Sequence, residues 1–316
     1  MKKLKRKKKN NKTILLIAIM LMLLLVCLAS IWIMHRGRAI NAAREQKAAE
    51  QEAEQVQQQK AEEEAAAKQN AEDAAIASHV YSNRGKAGAE EHSFKAYDAA
   101  IEAGSQYIGV DVVISSDGIL YVSSGLNAIE MTDYNGMFEY ISSETVDTLK
   151  TERGNKILRL SEVFDKYGDS VNYVIELKPE SEACEETFEK IVDEYGLSEH
   201  IRAGSMYSSI LEKLDKKYPD MPKLYICWNQ ADFEYVLDKP FIDEISVKEE
   251  AVLMTESNCK AAHDNGKLFG AWTLDSEELI KKAIDMGVDT YFTNDTPLAL
   301  SIEREYGHDE GKRKEQ

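Results

Sequence analysis

The sequence predicts an α/β protein whose main domain is a (β/α)8 TIM barrel, preceded by a transmembrane helix and a helical stalk. From Ile76 onward, short apolar strand patterns alternate with amphipathic helix patterns, which is typical of a barrel. An uninterrupted apolar run near the N-terminus predicts the membrane helix. The predicted segments are a basic tip (1–12), a membrane helix (13–35), a stalk (36–78), the barrel (79–306) and a polar tail (307–316).

The N-terminal segment has the pattern of a signal anchor. The run Ile14–Met34 carries no charge and can cross a hydrocarbon layer of about 30 Å at about 1.5 Å per helical residue. Basic residues are dense before this run and sparse after it, so we expect a single-pass protein of the cell membrane with a cytoplasmic N-terminus and an extracytoplasmic C-terminal domain. The alternative is a signal peptide cleaved after Ala29, but the run exceeds the usual apolar region of about 7–15 residues.

The stalk consists mainly of strong helix formers. Ile40, Val56 and Ile76 are too sparse to form the heptad seam of a regular coiled coil. We therefore expect an exposed helical spacer. Weak self-association through an alanine face is the alternative.

The charge and the cysteines exclude several classes of function. The formal net charge is −17, and the exported part is more acidic still because the tip is basic. Such a surface lacks the basic patches that bind nucleic acid, so we exclude it as a partner. The thiols outside the membrane helix, Cys184, Cys227 and Cys259, are too widely spaced for a disulfide framework or a zinc site.

The barrel elements follow from the periodicity of apolar residues. The predicted strands are Ile76–Tyr81, Tyr107–Ile114, Tyr173–Leu177, Ile201–Ala203, Leu224–Trp228, Ile242–Val247, Leu268–Trp272 and Thr290–Phe292. The predicted helices include Ser93–Ala103, Cys184–Tyr195, Tyr207–Lys216, Thr255–Asn265 and Ser276–Met286. Asp117-Gly118 predicts a tight turn that extends the second strand into a hairpin.

Charged and aromatic side chains lie at the ends of several predicted strands: Arg84, Asp111, Glu176, Lys178 and Trp272. The active sites of such barrels are built at the C-terminal ends of the strands. We therefore expect these side chains to share one site.

Four segments resemble the strand ends of the glycerophosphodiester phosphodiesterase family, whose pattern is His-Arg-Gly, Glu-x-Asp, His-Asp and Glu-x-Lys. Here they are Asn83-Arg84-Gly85, Gly109-Val110-Asp111, Ser123-Ser124-Gly125 and Glu176-Leu177-Lys178. Further segments are similar to the Pro-Glu-Asn-Thr helix start, the Trp-Thr strand and the closing Gly-Val-Asp…Thr-Asp-x-Pro of that family, namely Glu91-His92-Ser93-Phe94, Ala271-Trp272-Thr273-Leu274, Gly287-Val288-Asp289-Thr290 and Phe292-Thr293-Asn294-Asp295-Thr296-Pro297. The resemblance covers about residues 79–306.

The resemblance implies metal-assisted hydrolysis of a phosphodiester such as a glycerophosphodiester, a reaction of lipid metabolism. It places the acid/base histidines at Asn83 and Ser124, and neither residue exchanges a proton near neutral pH as imidazole does. It places the metal ligands at Gly109, Asp111 and Glu176. Two carboxylates can still hold Ca²⁺ or Mg²⁺ if water and phosphate complete the shell, so the metal site is weakened or lost.

Other histidines are poor replacements. His92 in the first βα loop is the best candidate, with capping of the first helix as the alternative. His79 lies about 13 Å toward the wrong end of its strand, at about 3.3 Å per residue. His200, His263 and His308 lie in loops or helices and are expected to be solvated.

The remaining site residues have two interpretations. Arg84 and Lys178 either bind a phosphate or pair with Asp111 and Glu176 in salt bridges that fill the site. Trp272 either stacks on a glycerol or sugar group or plugs the barrel.

Two main hypotheses remain. The preferred one is a membrane-anchored family member that is catalytically impaired and serves as a binding or scaffold module for a phosphodiester or glycerol-phosphate ligand. The alternative is an active or altered metal-dependent phosphodiesterase that acts on glycerophosphodiesters or glycerol-phosphate polymers. A third hypothesis makes the barrel a structural cap without a ligand.

Overall fold

The computed structural model describes residues 2–85 and 88–307. The chain divides into two units, the first ending at Asn70 and the second beginning at Ala71. The first unit lies within helix α1, Lys2–Ala77, and the part Ile14–Ala42 is long and apolar enough to cross a membrane, by length and composition. The second unit contains the barrel.

The other helices are α2 Phe94–Glu102, α3 Ser143–Val146, α4 Leu160–Tyr167, α5 Glu182–Tyr195, α6 Ser208–Lys217, α7 Gln230–Val236, α8 Glu256–Asp264, α9 Glu277–Met286 and α10 Thr296–Ile302. The strands are β1 Val80–Ser82, β2 Tyr107–Ile114, β3 Leu120–Val122, β4 Asn172–Leu177, β5 Ile201–Ser205, β6 Lys223–Cys227, β7 Glu244–Lys248, β8 Leu268–Trp272 and β9 Thr290–Thr293.

The predicted TIM barrel is confirmed. Within the described residues the sheet has nine strands, and all except β3 are parallel to their neighbours. Strand β1 pairs with both β2 and β9, which closes the barrel. Strand β3 runs antiparallel to β2, so the hairpin predicted from Asp117-Gly118 is also confirmed.

The predicted first strand, Ile76–Tyr81, is wrong at its beginning. Ile76 and Ala77 end α1, and β1 starts only at Val80. Both Ile76 and Ala77 are nevertheless buried in the same hydrophobic cluster as Val80. An apolar run alone cannot distinguish a buried helix end from a strand, and this is why the pattern misled the prediction.

A group of polar side chains seals the inside of the barrel near the N-terminal ends of the strands. We call Tyr81, Arg202, Glu244 and Thr290 the lower cluster. The buried Glu244 carboxylate accepts hydrogen bonds from the Tyr81 hydroxyl, at 3.0 Å, and from the Thr290 hydroxyl. Arg202 Nη1 lies 3.5 Å from Glu244 Oε2, so this end of the barrel is closed by a paired polar group.

Candidate functional site

The strand register brings the predicted charged residues together. Asp111 in β2 lies directly opposite Glu176 in β4. Lys178 follows β4, and its backbone N–H donates to the carbonyl of Val112, at 3.1 Å. Arg84 follows β1, the strand that pairs with β2 on the other side. All four side chains therefore meet at the C-terminal ends of neighbouring strands, as predicted from their positions.

The turn after β1 depends on a glycine. Arg84 has φ 53° and Gly85 has φ 97°, both in the left-handed region. A Cβ on Gly85 would lie only 2.5 Å from Ala96 Cβ on α2. Glycine therefore lets α2 pack against the turn that carries Arg84.

Five side chains form a connected ion-pair network, which we call the upper cluster: Arg84, Glu91, Asp111, Glu176 and Lys178. Arg84 donates from Nε to Asp111 Oδ2 at 2.9 Å and from Nη1 to Glu91 at 3.1 Å. Lys178 Nζ lies 3.3 Å from Asp111 Oδ2 and 3.1 Å from Glu176 Oε2. One oxygen of Asp111 thus contacts two cations.

Burial and charge set the protonation of this cluster. Burial alone would raise the pKa of Asp111, but Lys178 and Arg84 hold that pKa well below its usual range. The pKa of Glu176 is raised, first by burial and then by the negative charge of Asp111. Burial opposes the charge of Lys178, yet Asp111 and Glu176 outweigh it and raise the pKa of the ammonium. Lys178 therefore stays charged.

Backbone atoms leave little room at position 109, where the family pattern has the third carboxylate. A Cβ on Gly109 would lie 3.1 Å from the carbonyl oxygen of Ser82 and 3.4 Å from the backbone nitrogen of Arg84. Within residues 2–85 and 88–307, no group of three or more His, Cys, Asp or Glu side chains is arranged to hold a metal ion. The residues present are therefore a poor fit for Ca²⁺ or Mg²⁺, which take about six or more oxygen ligands.

The two acid/base positions are occupied by hydrogen-bonded polar groups. Asn83 Nδ2 donates to Asn294 Oδ1 at 3.0 Å, and Asn294 Nδ2 donates to Asp275 at 2.7 Å. Ser124 hydrogen-bonds to Glu91; burial alone would raise the pKa of that carboxyl, but Arg84 and this bond lower it. Both positions are thus integrated into the rim of the site without a group that titrates near neutral pH.

His92 does not replace the missing histidines. Its imidazole is completely buried, with Nδ1 2.8 Å from the Tyr97 hydroxyl and Nε2 3.4 Å from Asp111 Oδ2. Burial lowers its pKa, so the ring is neutral at physiological pH. The capping alternative is also wrong, because Ser93 is the N-cap of α2. His92 is therefore a buried ring that lies beside Asp111.

The structure also shows the contacts of the histidines that lie farther from the site. His79 Nδ1 lies 2.7 Å from the backbone oxygen of Asp289, at the opposite end of the barrel. The expectation of solvated rings is wrong for His200 and His263, which are partly buried and lie 3.2 Å from Asn172 and 2.8 Å from Asp289. Their strand-adjacent partners could not be read from periodicity. His308 lies outside the described residues.

The upper cluster forms one wall of a cavity of about 340 Å³. The rest of the described lining is largely apolar and includes Met206, Ile226, Trp228, Trp272 and Phe292. Trp228 and Trp272 pack edge to face with their ring centroids 4.7 Å apart, and Trp272 Nε1 donates to the Ser246 carbonyl at 3.1 Å. Trp272 therefore faces the cavity while its polar end is fixed in the barrel wall.

Sequence reasoning missed the roles of Glu91, Asn294 and Trp228. Glu91 was visible only as part of a helix start, although it binds Arg84. Trp228 directly follows β6, and an aromatic residue at that end of a strand was an available signal. Asn294 also directly follows a strand, β9, but its partner Asn83 is distant in sequence.

Comparison with known proteins identifies the family of the barrel. The model of the glycerophosphoryl diester phosphodiesterase family matches residues 77–298. The chain belongs to this family. It is 26% identical to the glycerophosphodiester phosphodiesterase of Caldanaerobacter subterraneus subsp. tengcongensis over 237 residues, which cover 69% of this chain and 93% of the relative. It is 23% identical to the glycerophosphodiester phosphodiesterase of Bacillus subtilis, with 71% and 86% covered.

Solved structures agree on the fold of this phosphodiesterase-family barrel. A glycerophosphodiester phosphodiesterase from Agrobacterium tumefaciens aligns with a TM-score of 0.60 at 20% identity, covering 71% of this chain and 98% of that one. An Oleispira antarctica phosphodiesterase in complex with the product sn-glycerol-3-phosphate aligns with a TM-score of 0.59 at 21% identity, covering 71% and 95%.

Proposed function

We propose that this protein is a membrane-anchored, catalytically impaired member of the phosphodiesterase family whose barrel binds a phosphate-type ligand outside the cytoplasm. The proposal rests on which residues line the cavity. Asn83 lines it where the family pattern has histidine, and among the described lining residues there is no imidazole. Ser124, at the second histidine position, is bonded to Glu91.

Impaired catalysis follows from the chemistry of phosphodiester cleavage. The attacking nucleophile must lose a proton and the leaving alkoxide must gain one, and each positioned acid or base contributes about 10²–10⁴-fold in rate. Neither a primary amide nor a hydroxyl supplies this proton transfer near neutral pH. The buried ring of His92 cannot reach a substrate in the cavity.

Ligand binding is supported by the residues that remain. Arg84 and Lys178 both face the cavity, and both can donate to phosphate oxygens. Each is already paired with Asp111, so a bound anion must compete with an internal carboxylate. We therefore expect weak binding. The relative from Oleispira antarctica suggests the probe, sn-glycerol 3-phosphate.

Membrane anchoring is supported by the helix segment Ile14–Ala42 and by the basic residues that precede it. The charge asymmetry favours a cytoplasmic N-terminus, which puts the barrel on the other side of the membrane.

Hydrolysis by the full-length protein in nonionic detergent tests this proposal. Release of glycerol phosphate from a glycerophosphodiester is measured with Ca²⁺ or Mg²⁺ for the wild type and for Asn83→His/Gly109→Glu/Ser124→His. We expect no release above background from the wild type. Because a side chain at position 109 is tight against Ser82, folding of the triple variant must be checked by circular dichroism.

The alternative, an active or altered phosphodiesterase, makes the opposite prediction. Metal-dependent release by the wild type that Asp111→Ala abolishes would reject catalytic impairment. An inactive wild type together with an active, folded triple variant supports the proposal. Absence of any shift in unfolding temperature with sn-glycerol 3-phosphate or with metal would favour the third hypothesis, a structural cap.

A further inference from the structure

The candidate metal site holds too few ligands for a divalent cation. Asp111 and Glu176 are the carboxylates at the family's ligand positions, since position 109 is glycine and the space beside it is bounded by the carbonyl of Ser82. Glu91 also lines the cavity, but it is paired with Arg84. Ca²⁺ takes six to eight oxygen ligands, so water and ligand would have to supply most of the shell.

A cation of the protein itself already contacts both carboxylates. Lys178 Nζ lies 3.3 Å from Asp111 Oδ2 and 3.1 Å from Glu176 Oε2, and its side chain is only 14% exposed. Arg84 Nε approaches the same Asp111 oxygen at 2.9 Å. The negative charge of the pair is thus offset by two basic side chains.

A divalent ion would have to displace this ammonium. Ca²⁺ binds carboxylate oxygens at about 2.3–2.6 Å, so an ion shared by Asp111 Oδ2 and Glu176 Oε2 would compete with Lys178 for the same lone pairs. The family pattern places the same lysine beside three carboxylates, but with glycine at 109 the two that remain, Asp111 and Glu176, are already balanced by Lys178 and Arg84, so little negative charge is left to attract a dication.

We propose that the Lys178 ammonium is the resident cation of this barrel, so that the carboxylate pair binds neither Ca²⁺ nor Mg²⁺ and a phosphate-type ligand is bound without metal. The second part rests on the proposed binding function. The first part concerns the metal alone and is tested separately.

The metal test uses CaCl₂ and MgCl₂ alone with the full-length protein in nonionic detergent. Binding is measured by calorimetry and by the shift in unfolding temperature. The wild type should bind neither ion below about 10 mM. Lys178→Met should bind Ca²⁺ at least tenfold more tightly, with a Kd of about 10⁻⁴–10⁻³ M, as in weak protein sites. Adding Glu176→Gln to Lys178→Met should abolish the gain.

A surface lysine provides the matched control. Lys217 Nζ also contacts two carboxylates, Glu189 at 3.2 Å and Asp193 at 2.7 Å, but on solvated helices. Lys217→Met should create no comparable Ca²⁺ site. If Lys178→Met does not fold, Lys178→Gln replaces it, and near-ultraviolet circular dichroism checks both.

The ligand test uses sn-glycerol 3-phosphate in EDTA and in Ca²⁺. Affinity should be equal in both, and Glu176→Gln should strengthen binding at least threefold because it removes a negative charge that competes for Lys178. In a metal-dependent site the same substitution would weaken binding.

Several results would overturn the proposal. These are wild-type Ca²⁺ binding that Glu176→Gln removes, no gain in Lys178→Met or Lys178→Gln, an equal gain in Lys217→Met, or phosphate binding that requires Ca²⁺. Absence of phosphate binding in every variant would instead reject the proposed function, while a Ca²⁺ gain specific to Lys178→Met would still support the cation assignment.

Discussion

The two ends of the barrel use buried charge in opposite ways. The lower cluster is sealed, and its Glu244 carboxylate is fully buried among the donors Tyr81 and Thr290. The upper cluster lines a cavity, and its carboxylates contact the long side chains of Arg84 and Lys178 at the cavity surface.

The difference shows which cluster holds the fold together. Removing an acceptor from a sealed site leaves buried donors without partners, at a cost of about 1–3 kcal/mol each. Removing a hydrogen-bond acceptor at the cavity lets a water molecule take its place. The lower cluster should therefore stabilise the barrel more than the upper cluster does.

The largest expected effect is the loss of stability in Glu244→Ala. The substitution leaves the hydroxyls of Tyr81 and Thr290 without an acceptor and should lower the free energy of unfolding by about 3–5 kcal/mol. The corresponding substitution at the cavity, Glu176→Ala, should lower the free energy of unfolding by about 1 kcal/mol or less, because Lys178 keeps its ion pair with Asp111. Chemical denaturation followed by circular dichroism compares them, and equal losses would contradict the comparison.

Two glycines provide the next test. A Cβ on Gly270 would lie 2.8 Å from Glu244 Oε1 and 2.9 Å from Thr290 Oγ1, so Gly270→Ala should cost about 1–3 kcal/mol through overpacking. At the cavity, a Cβ on Gly204 meets nothing nearer than 3.6 Å. Gly204→Ala should therefore be nearly neutral in the same denaturation experiment, and a larger loss there would count against the packing described.

The two clusters should also differ in the sign of their pH dependence. The pKa of Glu244 is raised, mainly by burial, so its contribution to stability falls as pH rises from 4.5 through the raised value. The pKa of Asp111 is lowered despite burial, by Lys178 and Arg84, so its contribution is present above 3.8 and is lost as pH falls below it.

Variants isolate these two contributions. With increasing pH, the stability difference between wild type and Glu244→Ala should shrink, while that between wild type and Asp111→Asn should grow. Unfolding temperatures recorded across the acidic range measure both. Slopes of the same sign would show that the charges at the two ends do not differ as described.

Much of the fold could be predicted from the sequence. Strands β2 and β8 have the predicted bounds, because each is an apolar segment with clear turn signals on both sides. The beginning of β1 could not be predicted, since Ile76 is buried in a helix end rather than a strand. Burial is visible in an apolar pattern, but the type of element is not always visible.

The candidate site was predictable in composition but not in contacts. The positions of Asp111 and Lys178 relative to strands predicted that they would meet. The pairing of Lys178 with both carboxylates depends on side-chain geometry, and the burial of His92 depends on a left-handed backbone at that residue, φ 57°. The lower cluster was not predicted, because Glu244 at the start of a strand looks like an ordinary solvated residue.

Phosphorus NMR can test whether the cavity binds a phosphodiester without metal and without hydrolysing it. Phosphorus NMR of a glycerophosphodiester mixed with the full-length protein, with Ca²⁺ or with EDTA, follows binding and hydrolysis in one sample. We expect the diester resonance to broaden equally under both conditions and no monoester resonance to appear. A monoester resonance that grows only with Ca²⁺, and that Asp111→Ala abolishes, would contradict it.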